Sequence, residues 1–438
     1  MPGLKPRLGT GCRRRCKVQV KPRILFVSHS ASRNGASLLL LHLLRWLRDH
    51  VDYELEVLMS GTGELLEDFR GLCKTRVWRD PAATLEGWPR RWKKRLQPDI
   101  ASQCLSWWMA GRKYDLVYLN TAATHPYVSV LARHAGSVLW HIHELGYALR
   151  LAMGEQSVEA ALRNAGRFIS VSRSVTSTLV EEFRIPADRV DLVHGFVPFP
   201  DQTPAEVASI RRRIRRQLGW SDEAFVVGGC GSLGWRKGTD IFLQIAHRLC
   251  GMQGNDATRF LWVGGEAGGN ESLQFQHDVR AFGLAGRCTM ISNTANAVDY
   301  YHAMDVFALT SREDPFPLVM LEAGARGLPV VCFDRSGGAL EFVGHDAGLI
   351  ADYLDVDTFA AHLVALSKSP KLRRQLGIAA AQKVKVNHVV STQGPKVAES
   401  INRCLSSTMK TSARGHFQVR QSLPSSAHVF ENGKPLIR

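Results

Sequence analysis

Short apolar runs of four to six residues recur along this chain, each closed by Gly, Ser, Asn or Asp. Longer segments follow them in which apolar positions return every three or four residues. The first pattern is that of a buried strand and the second that of an amphipathic helix, so their alternation predicts βα units built into parallel sheets. In the first half, strands are predicted over 24–28, 54–59, 116–120, 137–141 and 168–172, with another in RVDLVHGFV (189–197). A helix over 38–47 follows the first strand through the turn HSASRNGAS. Residues 198–204 are proline-rich and polar, as a linker is. Beyond them come a strongly basic helix over 205–218, a strand in FVVGGCGSL, and strands over 260–265, 290–293, 306–309 and 329–333. A short helix is predicted over 298–303, and helices fill 355–405.

With 438 residues, this pattern implies two α/β domains rather than one core. The densest chemistry lies in VFALTSREDPFPLVMLEAGARGLPVVCFDRSGGALEFV, residues 306–343. An apolar strand ends in a polar turn carrying Ser311, Arg312, Glu313 and Asp314, and a helix is expected over 316–325. Pro315 and Pro317 fall in its opening turn, where a missing N–H is tolerated. Gly327 and Pro329 stop that helix, and a second buried strand runs into a Gly-Gly turn. Free backbone N–H groups and the helix dipole make such a helix start a favourable place for an anion.

The spacing resembles the signature of the retaining glycosyltransferases of family GT4, which have the GT-B fold of two Rossmann-like domains with the active site in the cleft between them. That signature is a carboxylate, seven residues, then Glu-Ala, with Gly-x-Pro-Val-Val and a Gly-Gly turn after it. Here Asp314 precedes Glu322 by that interval, and Ala323, Gly327, Pro329, Gly337, Gly338 and Glu341 follow in place. The first carboxylate is Asp rather than Glu, with Glu313 beside it as a substitute.

A second block, GSLGWRKGTDIFLQIAHRL, follows the first strand of the second half. Gly231, Gly234 and Gly238 keep its loop thin, and Arg236 and Lys237 place two cations beside it. Departure of a nucleoside diphosphate from a sugar builds negative charge, which fixed cations stabilise. The resembled family shows Gly-Arg and, a few residues on, Lys-Gly. Lys237-Gly238 matches the second part, and Ser232 stands where the Arg is expected, leaving Arg236 to supply that charge.

In the first half, Gly35 sits at a strand-to-helix turn, where an anion can approach the backbone or the turn is simply a connection. His141, His143 and Glu144 close the strand SVLWHIHE at the carboxyl edge of its sheet, where ligands of such sheets collect. The family often has a His followed by an acid there, near sugar and acceptor, which favours His143.

The resemblance implies the following roles. Lys237 and Arg236 neutralise the diphosphate, Glu322 holds the ribose, and Asp314 or Glu313 holds sugar hydroxyls. Gly35 and the backbone of Phe316, Pro317, Leu318 and Val319 meet phosphate or sugar, and His143 assists at the sugar. It also implies a nucleotide-diphosphate sugar as donor, a glycan or lipid-linked acceptor, a role in polysaccharide or glycoconjugate synthesis, and no cofactor or metal. The expected division is a basic leader (1–21), an acceptor-side domain (22–200), a donor-binding domain (201–390), a helix crossing back to the first domain (391–408) and a flexible tail (409–438).

Charge adds one feature. The net charge of +16 suits anionic partners, and residues 87–96 set Arg90, Arg91, Lys93, Lys94 and Arg95 around Trp88 and Trp92. This stretch reads as a contact with an anionic membrane, as a grip on a nucleic-acid backbone, or as an exposed helix with its indoles in the core. No nucleic-acid reader motif accompanies it, so no specific nucleic acid is expected. The nine cysteines form no C-x-x-C pair, and no apolar run approaches the about 20 residues that span a bilayer, so a cytoplasmic setting is expected, peripheral to the membrane's inner face. A non-catalytic subunit of a polysaccharide assembly is the alternative, motivated by Ser232 and the Asp at 314.

Overall fold

The computed structural model describes residues 21–78, 102–154, 158–252 and 256–415. Residues 87–96, nearly all of the leader, and the tail beyond 415 lie outside the described residues. Among the described residues the chain forms two parallel sheets, each layered between helices. The first holds β1 (Arg23–Ser28), β2 (Glu54–Met59), β3 (Lys74–Val77), β4 (Tyr114–Asn120), β5 (Ala135–Ile142), β6 (Arg167–Ser170) and β7 (Val190–Leu192). Their order is β3-β2-β1-β4-β5-β6-β7. The second holds β8 (Phe225–Cys230), β9 (Thr258–Val263), β10 (Cys288–Ile291), β11 (Val306–Leu309), β12 (Val330–Phe333) and β13 (Gly348–Ala351), in the order β10-β9-β8-β11-β12-β13. Every pairing is parallel, with the strand order reversing at β1/β4 and at β8/β11. Loops leaving the carboxyl ends at those two points frame a crevice in each domain.

Most expected strands are present, and the departures have local causes. The strand expected over 189–197 stops at Leu192, because the backbone then turns into the inter-domain linker: the Val197 N–H donates to the carbonyl of His388 at 2.9 Å. Two short strands were not expected. β3 is a half-polar edge strand, KTRV, and β13 has four residues, GLIA. The basic helix is Pro204–Gln217, so the linker's last proline is its first residue, entered through a Thr203–Glu206 capping box.

The first domain is closed by a helix from the other end of the chain. Val390–Gly415 crosses back, longer than the 391–408 expected and taking up the first residues assigned to the tail. Its Val397, Ile401 and Cys404 share one core with Leu39, Leu40, Leu43 and Leu44 of helix Gly35–His50 and with Tyr118 and Leu139 of the sheet. The approach is close. A Cβ on Gly394 would lie 2.7 Å from Cδ2 of Trp46.

Candidate active site

The loops after β8 and β11 leave the second sheet side by side and are fastened together. Gly238 has φ +64°, and a Cβ there would lie 2.0 Å from the Thr310 carbonyl, so only glycine fits. Thr310 Oγ1 donates to the Lys237 carbonyl (3.1 Å), and the Arg312 N–H donates to the Arg236 carbonyl (2.8 Å). The Arg312 guanidinium forks onto Asp240 at 2.8 and 2.6 Å.

This clasp puts Lys237 Nζ 2.5 Å from Asp314 Oδ2, which also accepts from Ser311 Oγ at 3.2 Å. Asp314 is buried, and its backbone is tied to Ser336 and Gly338 on the loop after β12. Glu313 sits differently. Its Oε1 accepts from the Ala148 N–H of the first domain (3.5 Å), while its Oε2 lies 3.8 Å from Arg236 Nε without a hydrogen-bond partner. Burial raises the Glu313 carboxyl above its ordinary range, against the opposing pull of Arg236.

The helix expected over 316–325 begins at Leu318, with Pro317 as its cap residue at ψ 119°. Phe316 turns inward instead, stacking on His194 at 5.0 Å and packing against His388 where linker and returning chain pass each other. Pro317 has no N–H to offer a ligand. The N-terminus of this helix faces that of helix Gly35–His50 across the cleft: a Cβ on Gly35 would lie 3.7 Å from Leu318 Cδ1. The helix that Gly35 opens is capped by Asn34, whose Oδ1 accepts from the Ser37 N–H at 2.9 Å. Two positive helix ends therefore converge on one place.

One turn along the helix Leu318–Ala325, Glu322 accepts at Oε2 from the Tyr301 hydroxyl at 2.8 Å. Burial raises its carboxyl, opposed by Tyr301, Arg326 and Arg33. Glu322, Arg326 and Val298 form one wall of a cavity of about 360 Å³, and Arg33, Leu38 and His42 of the first domain form the other. A second cavity, of about 200 Å³, lies beside Trp235 and is lined by Asp240, Glu271 and Asp278.

On the first-domain wall, Asn120 Nδ2 donates to the Ala36 carbonyl (3.1 Å), which turns Asn120 Oδ1 toward His143 Nε2 at 3.0 Å. His143 Nε2 therefore carries the proton and Nδ1 keeps a free lone pair. Burial and the neighbouring His29 hold the ring neutral, its pKa lowered to about 3. The Ala122 and His143 N–H groups both donate to Glu144 Oε2, at 3.0 and 2.9 Å, joining the carboxyl ends of β4 and β5. Burial nevertheless raises the Glu144 carboxyl to about 7, with Arg236 opposing from the second domain. His141 is deeper, held at Nδ1 by the Tyr118 hydroxyl at 2.6 Å.

Lys237, Arg236, Glu313 and Asp314 thus meet at one wall, with Gly35, Leu318, Val319 and Glu322 beside them and His143 opposite. The Phe316 ring packs against His194 and His388. Tyr301 and Arg33 escaped the sequence reading, and Glu144 entered it without a role of its own. Glu144 alone had a signal, as the acid after His143. Among the described residues no group of three or more His, Cys, Asp or Glu lies close enough to hold a metal ion, and no helix is long and apolar enough to cross a membrane.

Two sequence families match this chain: glycosyltransferase family 4 over residues 33–199, and glycosyl transferases group 1 over residues 210–383. The D-inositol 3-phosphate glycosyltransferase of Stackebrandtia nassauensis is 26% identical over 275 residues, covering 61% of this chain and 59% of that protein. A GDP-mannose-dependent alpha-(1-6)-phosphatidylinositol monomannoside mannosyltransferase of Mycolicibacterium smegmatis is 28% identical over 327 residues, covering 70% of this chain and 81% of that one. The matches to the inositol-phosphate enzymes of S. nassauensis, Rhodococcus jostii and Rhodococcus opacus span 59%, 56% and 57% of those proteins, less than two thirds of their length. Among solved structures, Anabaena HepE in complex with UDP-glucose superposes with a TM-score of 0.70 at 21% identity, over 87% of this chain and all of that one. The lipopolysaccharide glycosyltransferase WaaG superposes with a TM-score of 0.63 at 15% identity, over 86% of this chain and 98% of that one.

Proposed function

The chain belongs to the GT4-type glycosyltransferases of the GT-B fold, and on that premise we propose that it moves a sugar from a nucleotide-diphosphate donor to a glycan or lipid-linked acceptor, retaining anomeric configuration and using no metal. The observation that carries this reading is the meeting of two helix N-termini, Gly35 against Leu318, beside Lys237 and Arg236. Helix-end N–H groups and these two cations are the kind of groups a departing diphosphate requires.

The two adjacent acids divide the work. Asp314 is committed to Lys237 and to the loop after β12, so it positions the cation. Glu313 keeps an oxygen without a partner and accepts a hydroxyl of the donor sugar. Glu322, one oxygen fixed by Tyr301, takes the ribose hydroxyls. Neutral His143 accepts a further sugar hydroxyl at Nδ1. Lys237, Arg236 and the Leu318 and Val319 N–H groups stabilise charge on the leaving diphosphate while the acceptor attacks from the same face. The GDP-mannose dependence of the mannosyltransferase relative and the UDP-glucose bound to HepE support a nucleotide sugar as donor.

The test is incubation of the full chain with UDP-, GDP- and ADP-sugars in EDTA, following release of nucleoside diphosphate and thermal shift. Slow release from one of them is expected. A thermal shift without release in the presence of any acceptor would favour the non-catalytic reading, and a divalent metal requirement would overturn the metal-free one.

A further inference from the structure

At the mouth of the cleft the two domains each expose one aromatic ring. Tyr147, from helix Gly146–Met153, is 52% exposed, and Trp235, from the loop after β8, is 56% exposed. Their centroids lie 5.4 Å apart at an interplanar angle of 57°, so the rings are tilted toward each other and leave splayed surfaces open. Exposed rings paired across two domains demand a reason, since each would gain by burial.

Both rings are held in place. The Arg312 guanidinium sits 5.3 Å from the Trp235 ring centroid and is locked onto Asp240. Arg312 also donates to the Trp235 carbonyl at 2.9 Å. On the other side, Ala148, the residue after Tyr147, donates to Glu313, and Leu149 is fully buried behind it. Trp235 directly precedes Arg236, and Tyr147 lies three residues beyond Glu144. The pair is therefore continuous with the polar wall where the donor sugar is placed.

We infer that Tyr147 and Trp235 form a stacking subsite for a sugar ring of the acceptor, one ring beyond the hydroxyl that reacts. A pyranose has an apolar C–H face and a polar rim. The open aromatic faces suit the first, while Glu313, Arg236 and Arg312 suit the second. Because one ring comes from each domain, an acceptor seated there also favours the closed arrangement of the cleft. This rests on the glycosyltransferase reading for the direction of approach, while the binding it requires is measurable without turnover.

The experiment is saturation-transfer NMR on the full chain with free mannotriose, cellotriose and maltotriose, alongside thermal shift by UDP, GDP and ADP. At least one trisaccharide should bind the wild type, and its affinity should fall about tenfold in Tyr147→Ala/Trp235→Ala, the scale of one lost aromatic contact. Tyr147→Phe/Trp235→Phe should retain it, and the nucleotide shift should be unchanged in both. Absence of binding by all three sugars, or equal binding by the alanine variant, overturns the subsite. So does sedimentation with vesicles of equal parts phosphatidylglycerol and phosphatidylcholine that is lost in the alanine variant, which would make the pair a lipid contact. If no nucleotide shifts the wild type, the donor reading fails and the sugar result stands by itself.

Discussion

Lys237, on the loop after β8, reaches Asp314, on the loop after β11, with Nζ 2.5 Å from Oδ2. The acid holds the ammonium where a diphosphate is proposed to arrive, and the donor must compete with it. Lys237→Ala should therefore lower turnover by about 10²–10³, the usual loss on removing one charge-stabilising donor. Asp314→Asn should reduce turnover less, because Ser311 still holds the shortened set of bonds and Lys237 remains in the loop. Initial rates of nucleoside diphosphate release, with melting temperature as a control, separate the two.

Glu322→Gln should weaken donor use while preserving the fold, since the amide fills the same space and loses charge-assisted bonds worth about 1.5–3 kcal/mol each. Tyr301→Phe should act in the same direction by about 1 kcal/mol, through a carboxylate freed of its fixing hydroxyl. The measurement is KM for the donor. Unchanged values in both variants would remove Glu322 from the ribose position.

His143 and Glu144 are neighbours with opposite pH behaviour. Between about pH 4.5 and 7 the folded chain keeps a proton on Glu144 that the unfolded chain has lost, so this group's share of stability falls as pH rises through that window. Between about pH 6.5 and 3 the unfolded chain protonates a histidine that stays neutral at 143 in the fold, so that share falls as pH drops. Melting curves against pH should show the first trend weakened in Glu144→Gln and the second weakened in His143→Asn, the remainder coming from other buried carboxyls and histidines.

Gly394→Val should destabilise the whole molecule by about 1–3 kcal/mol, the range for overpacking a close contact, because the added atoms meet the Trp46 indole. A double variant with Trp46→Leu should recover part of the loss. Urea unfolding reads both.

The sequence made Lys237, Asp314 and Glu322 legible because each lies in a strand–loop–helix unit whose spacing is local. The two parallel α/β domains followed from the same alternation. The packing of the Phe316 ring was hidden for the opposite reason: it is set by His194 and His388, 122 and 72 residues away in the chain. Tyr301 and Arg33 were likewise invisible, since their approach to Glu322 depends on packing between elements and on closure of the domains. That Asp314 bonds Lys237 while Glu313 reaches Ala148 of the first domain is a matter of side-chain direction, which spacing does not encode.

The helix Val390–Gly415 has a consequence for how the chain is made. Helix Gly35–His50 packs on its own sheet, but the part of its apolar flank that meets Val397, Ile401 and Cys404 stays open until they arrive. On a ribosome, the first domain therefore emerges with an open hydrophobic seam, while the second can close its own sheet as soon as β13 is out. Completion of the amino-terminal half thus comes late in synthesis, and the nascent chain waits, exposed and in need of protection, for residues about 360 positions downstream of Leu40.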